Sequence, residues 1–112
     1  MTRAEALAAI TAERGRQAAL WAAPHAHGQG DCSSPDVPLM VKVAVLGEEF
    51  GEVARAALDG KPDRMRTELI QVAAVAIAML EGSGDCTCYL GHEVPGTDTT
   101  PACDCAVHGG GA

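Results

Sequence analysis

Glu68-Leu69-Ile70-Gln71-Val72-Ala73-Ala74-Val75-Ala76-Ile77-Ala78-Met79-Leu80 decides the fold. After the opening glutamate only Gln71 is polar, and the run is too long for a strand and too short to cross a membrane. A helix that is apolar all round is buried among other helices. On a helical wheel Met65, Glu68, Val72, Val75 and Met79 share one stripe, so Glu68 falls in the middle of a packing face. A carboxylate there is costly to desolvate unless an arginine, a proton or a divalent metal neutralises it. This third helix is predicted from about Asp63 to about Glu81, stopped by Gly82-Ser83-Gly84.

Working back along the chain, Asp36, with Pro38 just inside, is predicted to open a second helix that ends at Leu58, before Asp59-Gly60-Lys61-Pro62. It carries two stripes. Leu39, Val43, Leu46, Phe50, Val53 and Ala57 make the wider apolar one, and Val41, Val45, Glu48 and Glu52 the second, with Glu49 bordering the first. A helix with two contact faces belongs inside a bundle. Thr2-x-x-Glu5 is a capping-box pattern, so a first helix is expected from Arg3 to about Ala22. Its stripe of Leu7, Ile10, Arg14, Gln17 and Trp21 points Arg14 and Gln17 the same way as the apolar anchors. They either snorkel at its edge or stand beside the carboxylates or a bound phosphate. Pro24 to Pro38, with His25, His27 and Cys32, reads as a loop long enough to cover a site.

These elements predict an all-α bundle of three main helices over residues 1–82, followed by a Cys/Gly-rich tail over 83–112. The 112 residues suffice for one domain with a modest core, and aromatics at 3% leave alanine, valine and leucine to fill it. The girdle of the third helix exceeds what three helices can cover, which predicts at least a dimer. A net charge of −7 argues against nucleic-acid binding by a basic surface, yet leaves room for a nucleotide bridged by a cation. The N-terminus has no signal-peptide pattern and no segment has membrane-spanning character, so a cytoplasmic protein is expected.

Glu48 and Glu52 lie one turn apart with Glu49 beside them, and Glu68 is on the next helix. Such carboxylates supply the hard oxygen ligands that Mg²⁺ or Mn²⁺ prefers. The competing reading solvates Glu48 and Glu52 and pairs Glu68 with Arg14. The tail has two C-x-C units, Cys86-x-Cys88 and Cys103-x-Cys105, and a C-x-x-H that ends at His108, with His92 between them. Four of these side chains would hold Zn²⁺; reduced thiols or disulfides are the alternatives. Cys32, distant in sequence, reads as an isolated thiol.

Glu48-Glu49-x-x-Glu52, then 15 residues, then Glu68-x-x-Gln71, resembles the E-E-x-x-E…E-x-x-D signature of the MazG-like all-α nucleoside triphosphate pyrophosphohydrolases. Glu13-Arg14-x-x-Gln17-x-x-x-Trp21 is similar to the first helix of small phage-type members, and the likeness runs from about residue 3 to 82. It implies Mg²⁺-dependent attack of water on the α-phosphate, releasing a nucleoside monophosphate and pyrophosphate. It implies Glu49, Glu52 and Glu68 as metal ligands, with Gln71 at the fourth ligand position and Glu48 as a further ligand or the group orienting the water. Arg14, Gln17 and Trp21 are the expected substrate contacts, and a dimer or larger homo-oligomer the expected assembly. Gln71 departs from the family aspartate: an amide brings no charge and no base, which predicts weakened Mg²⁺ affinity and weak or absent catalysis. The alternative is a non-catalytic binding or interaction module with a zinc-stapled tail.

Overall fold

The computed structural model describes residues 1–83, which form three helices and one minimal hairpin: α1 (Arg3–Leu20), β1 (Pro24–His25), β2 (Gly28–Gln29), α2 (Leu39–Leu58) and α3 (Pro62–Ser83). Cys86, Cys88, Cys103, Cys105 and His108 lie outside the described residues.

The capping box forms as its sequence dictates. Thr2 Oγ1 accepts from the Glu5 amide at 3.1 Å and donates to Glu5 Oε1 at 3.0 Å. Helix α1 ends at Leu20, two residues short of the predicted Ala22, where the Trp21 amide closes on the Gln17 and Ala19 carbonyls. The segment after α1, expected as a plain loop, contains a hairpin. Residues 24–29 pair antiparallel, Pro24 opposite Gln29 and His25 opposite Gly28. Gly28 makes this turn possible, since its φ is +125° and a Cβ there would stand 2.8 Å from the Asp36 backbone oxygen.

The start of α2 differs from expectation for a tertiary reason. Asp36 does not open the helix, because its Oδ2 accepts the Gln29 amide at 2.7 Å and anchors the hairpin. Pro38 stands at the N-cap in extended geometry with no side-chain cap, and helical residues begin at Leu39. The other end keeps close to the sequence pattern. Gly60, at φ +67°, completes a Schellman motif in which Gly60 N donates to Ala57 O at 3.1 Å and Lys61 N to Ala56 O at 2.9 Å. Pro62 then starts α3 at once, with Asp63 in its first turn. So short a link makes α2 and α3 an antiparallel pair.

Helix α3 packs against both α1 and α2. Ala56, Ala74 and Ala78 are fully buried, and these small side chains let α2 and α3 approach closely around Val53 and Val75. In the single chain α3 is buried on part of its surface only, in keeping with a girdle that exceeds what three helices can cover. Leu69, Ile77 and Leu80 are exposed because two neighbours cover only two sides of a helix. The wide stripe of α2 divides in the same way: Val53 is buried, Leu39 and Leu46 are half-buried, and Val43, Ala57 and Phe50 (65% exposed) face outward. Among the described residues no helix is long and apolar enough to cross a membrane.

Candidate metal centre and adjoining cavity

Glu49 and Glu52, one turn apart, project from the face of α2 that meets α3, and Glu68 meets them from α3. One carboxylate oxygen from each lies within 4.8 Å of the others. Glu68 is only 8% exposed, Glu49 and Glu52 are half-buried, and Glu48 is exposed at the edge of the group. Packing fixes this depth. Ala74 and Val75 lie about two turns beyond Glu68 on the buried side of α3, while Val53 and Ala56 flank Glu52 on α2.

The electrostatics are those of crowded anions. Burial, followed by the charges of Glu52, Glu68, Glu48 and Glu13, pushes Glu49 up to about 7. Glu68 is also raised, chiefly by burial and then by a hydrogen bond and charge from Glu52, with Arg64 opposing. Among the described residues no arginine ion pair relieves Glu68. Arg14, the partner the competing reading required, bonds instead to Asp31 and to Glu81, the latter at 3.0 Å. A proton or a bound cation would relieve the repulsion that remains. Three convergent carboxylate oxygens, two half-buried and one buried, are a donor set that fits Mg²⁺ or Mn²⁺.

Gln71, one turn beyond Glu68, joins the group. In the orientation that satisfies its neighbours, its side-chain nitrogen donates to Glu68 Oε2 and to Glu49 Oε2, each at 2.9 Å. Gln17, buried on α1, donates from Nε2 to Glu13 Oε2 at 3.0 Å and to the Gln71 carbonyl at 3.4 Å. Glu13 is in turn gripped by Arg16 at 2.6 and 2.7 Å, and that bond holds its carboxyl below the usual range.

Beside the carboxylates lies a cavity of about 380 Å³. Glu48 and Glu49 form one part of its lining, Val41, Val45 and Val75 an apolar part, and Trp21, His25 and His27 an aromatic part. The Trp21 and His25 rings meet edge-on at 5.5 Å. His25 is fixed within the hairpin: Nε2 donates to Gly30 O at 2.8 Å while Nδ1 accepts the His27 amide at 3.2 Å, which assigns the neutral tautomer. The Gly30 amide reaches back to Trp21 O at 3.1 Å, tying the hairpin to the end of α1.

Of the substrate contacts expected from sequence, Gln17 and Trp21 line this cavity and Arg14 does not; Arg16 does. The Glu13-x-x-Arg16 spacing, an i,i+3 pair adjoining Gln17, was the signal for it. His25, His27 and Cys32 line it as well, and burial and then Asp31 push the Cys32 thiol upward. Lys42, fully buried on α2, was not anticipated; the hydropathy pattern places a lysine outside. No family model, curated protein or solved structure matches the chain.

Proposed function

We propose that the chain is a divalent-metal-dependent nucleoside triphosphate pyrophosphohydrolase, acting on a bound nucleotide to release a nucleoside monophosphate and pyrophosphate. One observation carries the reading. Glu49 belongs both to the three-carboxylate cluster and to the lining of a cavity that also holds an exposed tryptophan and two histidines. A nucleotide has the matching polarity, with phosphates at one end and a flat aromatic base at the other.

Glu49, Glu52 and Glu68 would hold Mg²⁺ or Mn²⁺. When bound, the ion supplies charge neutralisation at the phosphates and lowers the pKa of a coordinated water. Glu48 is exposed beside the cluster, so its carboxylate is free to orient the attacking water and accept its proton. The bond that breaks joins the α-phosphorus to the oxygen bridging to the β-phosphate, which leaves with pyrophosphate. Trp21 offers a face for the base, and Arg16, which lines the cavity while bonded to Glu13, offers a guanidinium to a phosphate oxygen. Arg14 ties the 31–34 segment to α1 and α3 through Asp31 and Glu81. The reading sets the protein in the cytoplasm, where nucleotides are found.

The direct test is pyrophosphate release from a panel of nucleoside triphosphates with Mg²⁺. Release from none of them by folded, Mg²⁺-binding protein would leave the non-catalytic module in its place. Trp21→Ala should raise KM about 10- to 100-fold with little change in kcat, because stacking on one aromatic ring contributes about 1–3 kcal/mol per base. Mg²⁺ binding without nucleotide should be unchanged in that variant.

We also propose a homo-oligomer, supported by the exposed apolar face of α2. Met40, Val43, Phe50 and Leu58 are all exposed there, opposite the carboxylate-bearing face. Light scattering at micromolar concentration should give at least a dimer, and Phe50→Asp should shift it to monomer with helicity retained. A monomeric wild type would overturn this assembly.

A further inference from the structure

We propose that Gln71 is a positioning residue whose side-chain nitrogen bridges Glu49 of α2 and Glu68 of α3, holding the two carboxylates convergent before a cation arrives. The inference rests on the reading of the cluster as a cation site, and it departs from the expectation that Gln71 is a weakened metal ligand.

Three observations combine. First, the amide nitrogen is 2.9 Å from an oxygen of each glutamate, so its two protons serve carboxylates on different helices. With both carboxylates ionised, the reverse orientation would set the amide oxygen against two acceptors, a repulsive arrangement. Second, both bonds are charge-assisted, the stronger class of neutral-donor contact. Third, the stretch of α3 that carries Gln71 is tied to α1, because the Gln71 backbone carbonyl accepts from the buried Gln17 at 3.4 Å, and Gln17 is bonded to Glu13.

The chemistry of the side chain explains why an amide suits this position. Like-charged groups this close repel and, unrestrained, swing towards solvent on their flexible stems. An ionised aspartate at position 71 would add a fourth negative charge and has no proton to donate. Glutamine adds none and offers two donors. It therefore holds open a site of three carboxylates in which the ligand oxygens already converge, so less ordering remains to be done when the cation binds.

The test uses the full-length protein without nucleotide at pH 8. In metal-free wild type the Gln71 side-chain amide protons should resonate downfield and exchange slowly with solvent, and Glu49→Gln and Glu68→Gln should each disturb that signature. Gln71→Leu, which keeps the bulk and removes both donors, should lower the metal-free melting temperature by about 5 °C or more. Titrated with Mg²⁺ alone, it should bind about tenfold more weakly. Freely exchanging amide protons in metal-free wild type would overturn the proposal. So would Gln71→Leu melting at or above wild type, or Gln71→Glu binding Mg²⁺ tenfold more tightly with unchanged metal-free melting, the behaviour of a direct ligand. The amide signature in wild type remains decisive if a variant does not fold. Pyrophosphate assays on wild type separate the two levels. An inactive protein with the signature intact overturns only the activity, and an active protein without it overturns only the bridge.

Discussion

Glu68→Gln should weaken Mg²⁺ binding by at least about 100-fold and reduce pyrophosphate release to background, while the metal-free protein melts no lower than wild type. The combination matters more than either half. Glu68 is nearly buried, has no arginine partner among the described residues, and lies within 4.8 Å of two further carboxylates. At that separation and an effective dielectric of about 20, each pair of ionised groups repels by about 3 kcal/mol before salt screening. A neutral amide of the same shape removes that repulsion and keeps the packing against α2. A carboxylate serving only the fold, through an ion pair, would behave oppositely, because its loss would strand a buried cation. Calorimetric titration with Mg²⁺, together with thermal melting of both proteins, distinguishes the cases. Undiminished Mg²⁺ affinity in folded Glu68→Gln would remove the cluster as a metal site. Glu48→Gln is the companion variant: it should lose turnover and keep Mg²⁺ binding, since Glu48 lies at the edge of the group.

The part of this site legible in the sequence is the part fixed by helical period. Glu68 falls in the middle of the stripe of Met65, Val72, Val75 and Met79, and the structure buries it. The three helices were legible for the same reason, and so were their ends where a local device sets them: the capping box at Thr2 and the glycine at position 60. Legibility failed where a distant group wins. Asp36 has the chemistry of a helix start, but the Gln29 amide claims its carboxylate. Arg14 shares a stripe with Gln17 and Trp21, yet Asp31 and Glu81 draw its guanidinium away from the cavity. Neither partner can be found from spacing along α1. The wheel also cannot tell how many neighbours a helix has, so the apolar stripe of α2 reads as buried although much of it is exposed in the single chain. The bridge made by Gln71 was hidden differently. Its i,i+3 relation to Glu68 was visible, but the approach of Glu49 from α2 depends on the crossing of two helices.

Without metal, the protein should be most stable at mildly acidic pH and lose stability as pH rises from about 4.5 through 7, with Mg²⁺ reversing the loss. The sign comes from the direction of the shifts. Glu49 is raised from its ordinary value of 4.5 to about 7, and Glu68 is raised as well, so between those values the folded state binds more protons than the unfolded chain. Stability falls with pH wherever the native state holds the extra protons. The favourable contribution is therefore complete below about 4.5 and absent above about 7. Because Glu49 is only half-buried, solvent screening keeps its share to about 1–2 kcal/mol, which corresponds to a fall in melting temperature of roughly 4–16 °C in a domain of this size. A divalent cation inverts the dependence, since it competes with those protons for the same oxygens and binds more tightly as they leave. Millimolar Mg²⁺ should thus raise the melting temperature strongly at pH 8 and hardly at all at pH 5. Melting curves across this range, with Mg²⁺ or with chelator, read both effects, and Glu49→Gln should flatten the metal-free profile. A metal-free protein whose stability rises between pH 5 and 8 would mean that donors in the chain, the Gln71 amide among them, outweigh burial and mutual repulsion and hold these carboxylates in their charged form, and the case for a cation as their neutralising agent would fall with it.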